Sequence, residues 1–184
     1  MPTNAQKPQN IFDLSDTVAY IITATATDAV TYQTPFGWHY DYQTEDTKAE
    51  IKVRTALYDE LELPYKKVAE LWLEKYNDER LDRNYNYIFQ CPVIPENKIY
   101  TVDLDTVMQC GYSEYKRPKF TVDGKKEWQT TLEYRVPLDK WKCEYCDCTR
   151  YWEYMDKGAA KYGIELPDNY KKEINQWKSN NSII

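Results

Sequence analysis

A chain of 184 residues, 42% apolar and 29% charged, is long enough to bury one core without help from disulfides or metal. Its formal net charge of -6 and pI near 5.0 argue against a sequence-independent grip on phosphate backbones, which needs an excess of Lys and Arg. No run of about 18 apolar residues occurs, which excludes a transmembrane helix, while 18 Tyr and 6 Trp make much of the burial aromatic.

The opening MPTNAQKPQN is polar, holds two prolines and lacks the apolar centre of a signal peptide. Residues 1–10 are therefore expected as a flexible arm, 11–178 as a single domain and 179–184 as a frayed tail. The expected compartment is the cytoplasm, or a particle assembled there. Residues 18–27, VAYIITATAT, are β-branched and aromatic with partial alternation and predict a strand, with 29–32 returning as a second. In TPFGWHYDYQ the spacing of Trp38, Tyr40 and Tyr42 sets three rings on one face of a strand and His39 and Asp41 on the other.

Thr47-x-x-Glu50 fits a capping box, and Ala49, Val53, Ala56, Leu57 and Leu61 recur behind it at helical spacing, predicting a helix over 47–61. Pro64 ends it and opens another over 65–80, with Tyr65, Val68, Leu71, Trp72 and Tyr76 as its apolar stripe. Acids mixed among the bases of this second helix argue against a DNA-reading helix pair. Residues 85–91 and 98–108 predict strands around the proline-punctuated PVIPEN. Residues 120–123 and 128–136 predict a hairpin turned at Asp123-Gly124. A helix follows over 149–162, with Asp147 as N-cap and Gly163 just past its end, then a short helix capped by Asp168. The pattern predicts an α+β fold, mainly antiparallel strands over 18–42 and 84–137, with helices near 47–80 and 149–178 covering one face.

Three cysteines fall within KCEYCDC. Cys143-x-x-Cys146 has zinc-knuckle spacing, but a structural site needs four ligands and no second pair or HxxxH is present. A site built from Cys91, Cys110, Cys143 and Cys146 requires two strand ends to meet the helix start. A redox pair fits less well, because Glu144 between the cysteines opposes thiolate formation and no parallel βαβ pattern precedes it. The preferred reading is small buried hydrophobes at a helix start.

Asp123 and Glu133-x-Arg135 on neighbouring strands resemble the Asp…(Asp/Glu)-x-Lys layout of metal-dependent nucleases, in which two carboxylates hold Mg²⁺ and a lysine polarises water. Here an arginine replaces the lysine and cannot readily act as a base. Asp103 and Asp105 fit the outward face of a strand, and Asp41 is placed to orient His39. Only five glycines occur, none in a phosphate-cradling motif.

The leading functional expectation is a non-enzymatic protein-binding module, a small subunit or inhibitor of viral or mobile-element type. It uses an aromatic surface of Trp38, Tyr40, Tyr42, Tyr112 and Tyr115 to bind another protein or a second copy of itself. No cofactor and no membrane are expected. The alternative is a zinc-stabilised, nucleic-acid-associated protein using the strip Lys116, Arg117, Lys119, Lys125 and Lys126. A metal-dependent nuclease is the third class.

Overall fold

Residues 2–3, 7–120 and 125–181 are described in the computed structural model of the chain. The first long element departs from expectation: Ile11–Thr25 is a helix, α1. Asn10 caps it by accepting the Asp13 amide at 2.9 Å. Leu14, Val18 and Ile22, four residues apart, form a buried stripe against the C-terminal helices, while Ala19, Tyr20 and Ala24 pack on the sheet. Burial on two sides outweighs the β preference of VAYIITATAT.

Short strands β1 (Pro2–Thr3), β2 (Thr31–Gln33) and β3 (Tyr42–Gln43) lead into β4 (Thr47–Ile51). The helix expected over 47–61 is therefore absent; β4 and β5 (Glu60–Pro64) take its place. On β4 the alternation is period two. Ala49 and Ile51 enter the core under α1, and Lys48 and Glu50 point to the other face. The helix α2 (Tyr65–Arg80) follows Pro64 as expected, but of its expected stripe only Val68 and Leu71 are buried, and Tyr65, Trp72 and Tyr76 are exposed. It carries the chain over to β6 (Asn86–Val93), which runs parallel to β4.

The strand β7 (Lys98–Asp103) is shorter than expected. Asp103 caps α3 (Leu104–Cys110) by accepting the Thr106 amide at 2.7 Å. A long hairpin follows, β8 (Tyr112–Phe120) and β9 (Lys126–Pro137); its expected turn at Asp123-Gly124 lies outside the described residues. The connector before the third expected helix contains β10 (Lys142–Tyr145). Last come α4 (Arg150–Tyr162), closed by Gly163 at φ +64°, and α5 (Asp168–Asn180). Asp147 does not cap α4; it pairs with Arg150 at 3.0 Å, and Thr149 holds the cap position.

Among the described residues the strands form two sheets, ordered β1-β2-β3-β4-β6-β7-β10 and β5-β9-β8. The class is α+β, with a mixed larger sheet. Its helices lie on both faces, whereas one covered face was expected: Val68 and Leu71 of α2 pack on Tyr87, Phe89 and Cys91, while α1 packs on Ala49 and Ile51. The parallel β4–β6 pair explains this, because its crossover helix occupies one face and leaves the other to α1. Among the described residues no helix is long and apolar enough to cross a membrane.

Candidate active site

The pairing of β3 with β4 brings Asp41, one residue before β3, against the end of β4. The Asp41 amide donates to the Ala49 carbonyl at 2.8 Å, and its Oδ2 accepts the Ile51 amide at 2.6 Å. Glu50 is buried, and its carboxyl group lies near enough to that of Asp41 for each to act on the other's affinity for a proton. Two residues on, Lys52 continues the extended chain, its amide donating to Gln90 at 2.8 Å, so its side chain leaves on the same side as that of Glu50. From α2, Lys67 reaches Glu50 at 3.5 Å. From α1, Asp16 adds a third carboxylate whose charge acts on Asp41.

The electrostatics of the cluster are those of like charges held in a dry place. Burial raises the Asp41 carboxyl to about 6, aided by Asp16 and opposed by the Ile51 amide and Lys67. Burial also lifts Glu50 well above the carboxylate range, and the charge of Asp41 adds to it. The pair therefore holds a proton more tightly than two separate surface acids would. Burial and the neighbouring Arg54 hold the Lys52 ammonium below the usual lysine range.

Lys52 separates two cavities. One, of about 370 Å³, is bordered by Asp16, Thr55, Tyr151, Asn169 and Glu173 between α1 and the C-terminal helices. The other, of about 230 Å³, is bordered by Arg54, Glu62, Arg117, Thr131 and Glu133 under the β8–β9 hairpin. Lys52 thus borders open space on both sides, while Asp41 and Glu50 border neither cavity.

The residues singled out from sequence are distributed differently. Trp38 is 51% exposed, but Tyr40 and Tyr42 are 6% and 3% exposed, so the three rings do not share a surface. Residues 38–41 form a turn instead of a strand. Tyr40 donates to Gln43 at 2.6 Å and Tyr42 to Gln90, which places both hydroxyls in the interior network. Tyr112 is exposed against the edge of Tyr65, and Tyr115 lies half-buried beneath the Arg135 guanidinium at 3.5 Å. The basic residues Lys116, Arg117, Lys119, Lys125 and Lys126 do gather on the one hairpin.

Asp123 lies outside the described residues. Glu133 is buried, and although burial works against its charge, Arg117 and Arg135, each at 3.0 Å, hold it below the usual carboxylate range. Its oxygens are taken by guanidinium groups. Asp103 is a helix cap, and Asp105 pairs with Lys75 at 2.9 Å. His39 lies 3.5 Å from Glu74 and stacks on Trp38, while Asp41 turns to Ile51 instead of orienting it.

The four cysteines of the zinc alternative are not brought together as free thiols. Cys146 is joined to Cys148 in a disulfide, and Cys91 is buried, its thiol pushed up to about 12 by that burial. Cys110 is exposed at the end of α3, and Cys143 is exposed on β10. Cys146 and Cys148 sit in the core cluster around α4. Among the described residues no group of three or more His, Cys, Asp or Glu side chains is arranged to hold a metal ion.

In the sequence Glu50 stands out only as part of a capping box, and Lys52 not at all. The available signal was the stretch AEIKV, in which Ala49, Ile51 and Val53 alternate with Glu50 and Lys52. Comparisons of the chain with protein-family models, with curated proteins and with solved structures find no match.

Proposed function

We propose that the chain is a divalent-metal-dependent phosphodiesterase acting on nucleic acid, with Asp41 and Glu50 holding the cation and Lys52 beside it. One observation carries the reading: two mutually interacting carboxyls, one in the turn just before β3 and one on β4, with a lysine two residues beyond the second. This is the acid…acid-x-Lys layout that Asp123 and Glu133-x-Arg135 resemble, met at Asp41 and Glu50-x-Lys52 with the lysine in place.

The donor set fits the ion. Carboxylate oxygens suit Mg²⁺ or Mn²⁺, and Mg²⁺ commonly takes one or two carboxylates and completes its shell with water and substrate phosphate. A cation bound there also relieves the repulsion that now keeps a proton on Glu50, so binding releases that proton. Bound metal would supply a polarised phosphate oxygen and a more acidic water. Lys52 sets its ammonium beside the phosphate, where negative charge grows as water oxygen adds to phosphorus and one P–O ester bond breaks. Burial lowers the affinity of Lys52 for a proton, which makes it readier to give one up during that exchange. Lys67 keeps Glu50 aimed at the centre.

The test is Mg²⁺-dependent cleavage of DNA by the full chain. Glu50→Gln and Lys52→Ala are each expected to lower the rate by about 10³-fold, as loss of one preorganised charge does elsewhere. Retention of cleavage in both variants, or indifference to chelation, overturns the assignment.

The protein-binding reading keeps one specific support. On α2, Trp72 and Tyr76 stack with ring centres 5.6 Å apart, and both are exposed beside exposed Leu73. Self-association or capture of a partner that is lost in Trp72→Ala would favour it, and a chain that stays monomeric by light scattering with no partner captured would remove it.

A further inference from the structure

Among the described residues the β8–β9 hairpin is joined to β5 only through residues 133–137, so from Leu132 outward its two strands have no third neighbour there. The free part runs from Glu114 to Phe120, roughly 20 Å at strand rise. Both of its faces meet solvent. Lys116, Pro118 and Trp128 lie on one, Lys119, Glu127 and Gln129 on the other, and all are exposed. A two-stranded ribbon bare on both faces is marginally stable by itself and buries little, so packing does not explain its length.

Its charge departs from that of the chain. Residues 112–137 carry six basic and four acidic side chains in a protein of net charge -6. Lys116, Lys119 and Lys126 make no ion pair among the described residues, and Lys126 lies over the Trp128 ring at 4.7 Å. Midway along the free part, Arg117 reaches back to its base, held by Glu62 at 3.0 Å and by Glu133 at 3.0 Å, at the wall of the cavity that Lys52 shares.

We infer that this ribbon is a DNA-binding arm that enters the major groove of duplex DNA and delivers the adjacent backbone to Lys52. The siting of the delivered phosphate rests on the hydrolase reading above. A two-stranded ribbon fits the major groove of B-form DNA, and basic side chains on both its faces meet the phosphate rows on either side. The deep, narrow major groove of A-form RNA excludes it, and a single strand offers no groove to fill. The acidic remainder of the chain confines attraction to the arm, which gives binding a direction as well as strength.

Binding can be read without cleavage, by fluorescence anisotropy of the Glu50→Gln chain in the absence of divalent metal, on a DNA duplex, the matching RNA duplex and the single DNA strand. The DNA duplex is expected to bind tightest. Combined Lys116→Ala, Lys119→Ala and Lys126→Ala should weaken it at least about tenfold and lower the salt slope by about 3, roughly one for each phosphate that no longer meets a lysine. Equal or tighter binding of the single strand or RNA duplex overturns the inference, as does unchanged affinity in the triple variant. Hydrogen exchange on the chain with its arm unaltered gives a second reading that needs no arm substitution: duplex DNA should protect β8 and β9 amides, and their indifference to it counts equally against the arm. The two proposals fail separately. Arm-dependent duplex binding by a chain that cleaves nothing sinks the hydrolase reading alone, and Mg²⁺-dependent cleavage with arm-independent binding sinks the arm alone.

Discussion

Two clusters of buried charge lie two residues apart on one strand, and they are built on opposite principles. Around Lys48, the ammonium sits 2.6 Å from Asp78 and 2.8 Å from Glu74, and the Tyr87 hydroxyl donates to Asp78 at 2.7 Å. The Tyr85 ring closes over the same nitrogen at 4.4 Å. Burial alone would lower the affinity of Lys48 for its proton, yet the two carboxylates raise it. Around Glu50, two acids lie close together with Lys67 at 3.5 Å, and each holds a proton more tightly than a free carboxyl. The first cluster is electrically complete. The second is short of positive charge, which is the condition in which a cation binds.

The contrast can be broken most severely through activity and stability measured together. Glu50→Gln is expected to lose about 10³-fold in Mg²⁺-dependent cleavage while melting no lower than the parent chain, since it removes a repulsion. A lower melting point in that variant would mean that Glu50 belongs to the framework. Asp78→Ala should do the reverse, costing about 3–5 kcal/mol in denaturant unfolding because Lys48 is left with one fewer partner in a dry site. A loss under about 1 kcal/mol would show that the Lys48 cluster is slack.

A subtler separation comes from pH. The native chain holds the Asp41 proton more tightly than the unfolded chain, its carboxyl being raised from 3.8 to about 6. That contribution to stability is complete below about pH 4 and is lost as pH rises through about 6. Without divalent metal, the parent chain should therefore lose stability relative to Asp41→Asn across that window. Added Mg²⁺ should stabilise the parent more at pH 8 than at pH 5. Parallel melting curves for the two proteins from pH 4 to 8 would remove the shared proton from the account. The smallest effect is expected at the Cys146–Cys148 disulfide, where a loop this short constrains the unfolded chain by only about 1–2 kcal/mol. Reduction should lower the melting point slightly and leave cleavage unchanged.

Much of the framework was legible because local chemistry and tertiary packing agree there. Pro64 and the stripe from Val68 to Leu71 place α2, and Gly163 ends α4 at the positive φ that glycine adopts freely. At α1 they disagree: β-branched residues predict a strand, while Leu14, Val18 and Ile22 meet α4 only if the chain coils. At β4 the disagreement conceals a buried acid. Thr47 and Glu50 resemble a capping box, a reading that puts Glu50 on an exposed helix turn, where a charged residue calls for no explanation.

By itself, then, the amino-acid order determined where apolar faces and chain breaks fall, and hence an α+β chain with α2, α4, α5 and the long basic hairpin. Only the tertiary structure decided that Glu50 is dry, that Asp41 lies against it and that the hairpin roots beside Lys52. Those facts come from pairing β3 to β4 and enclosing β4 between α1 and α2. Burial turns an ordinary acid into a raised, proton-holding one, and burial is a property of neighbours that no local pattern carries.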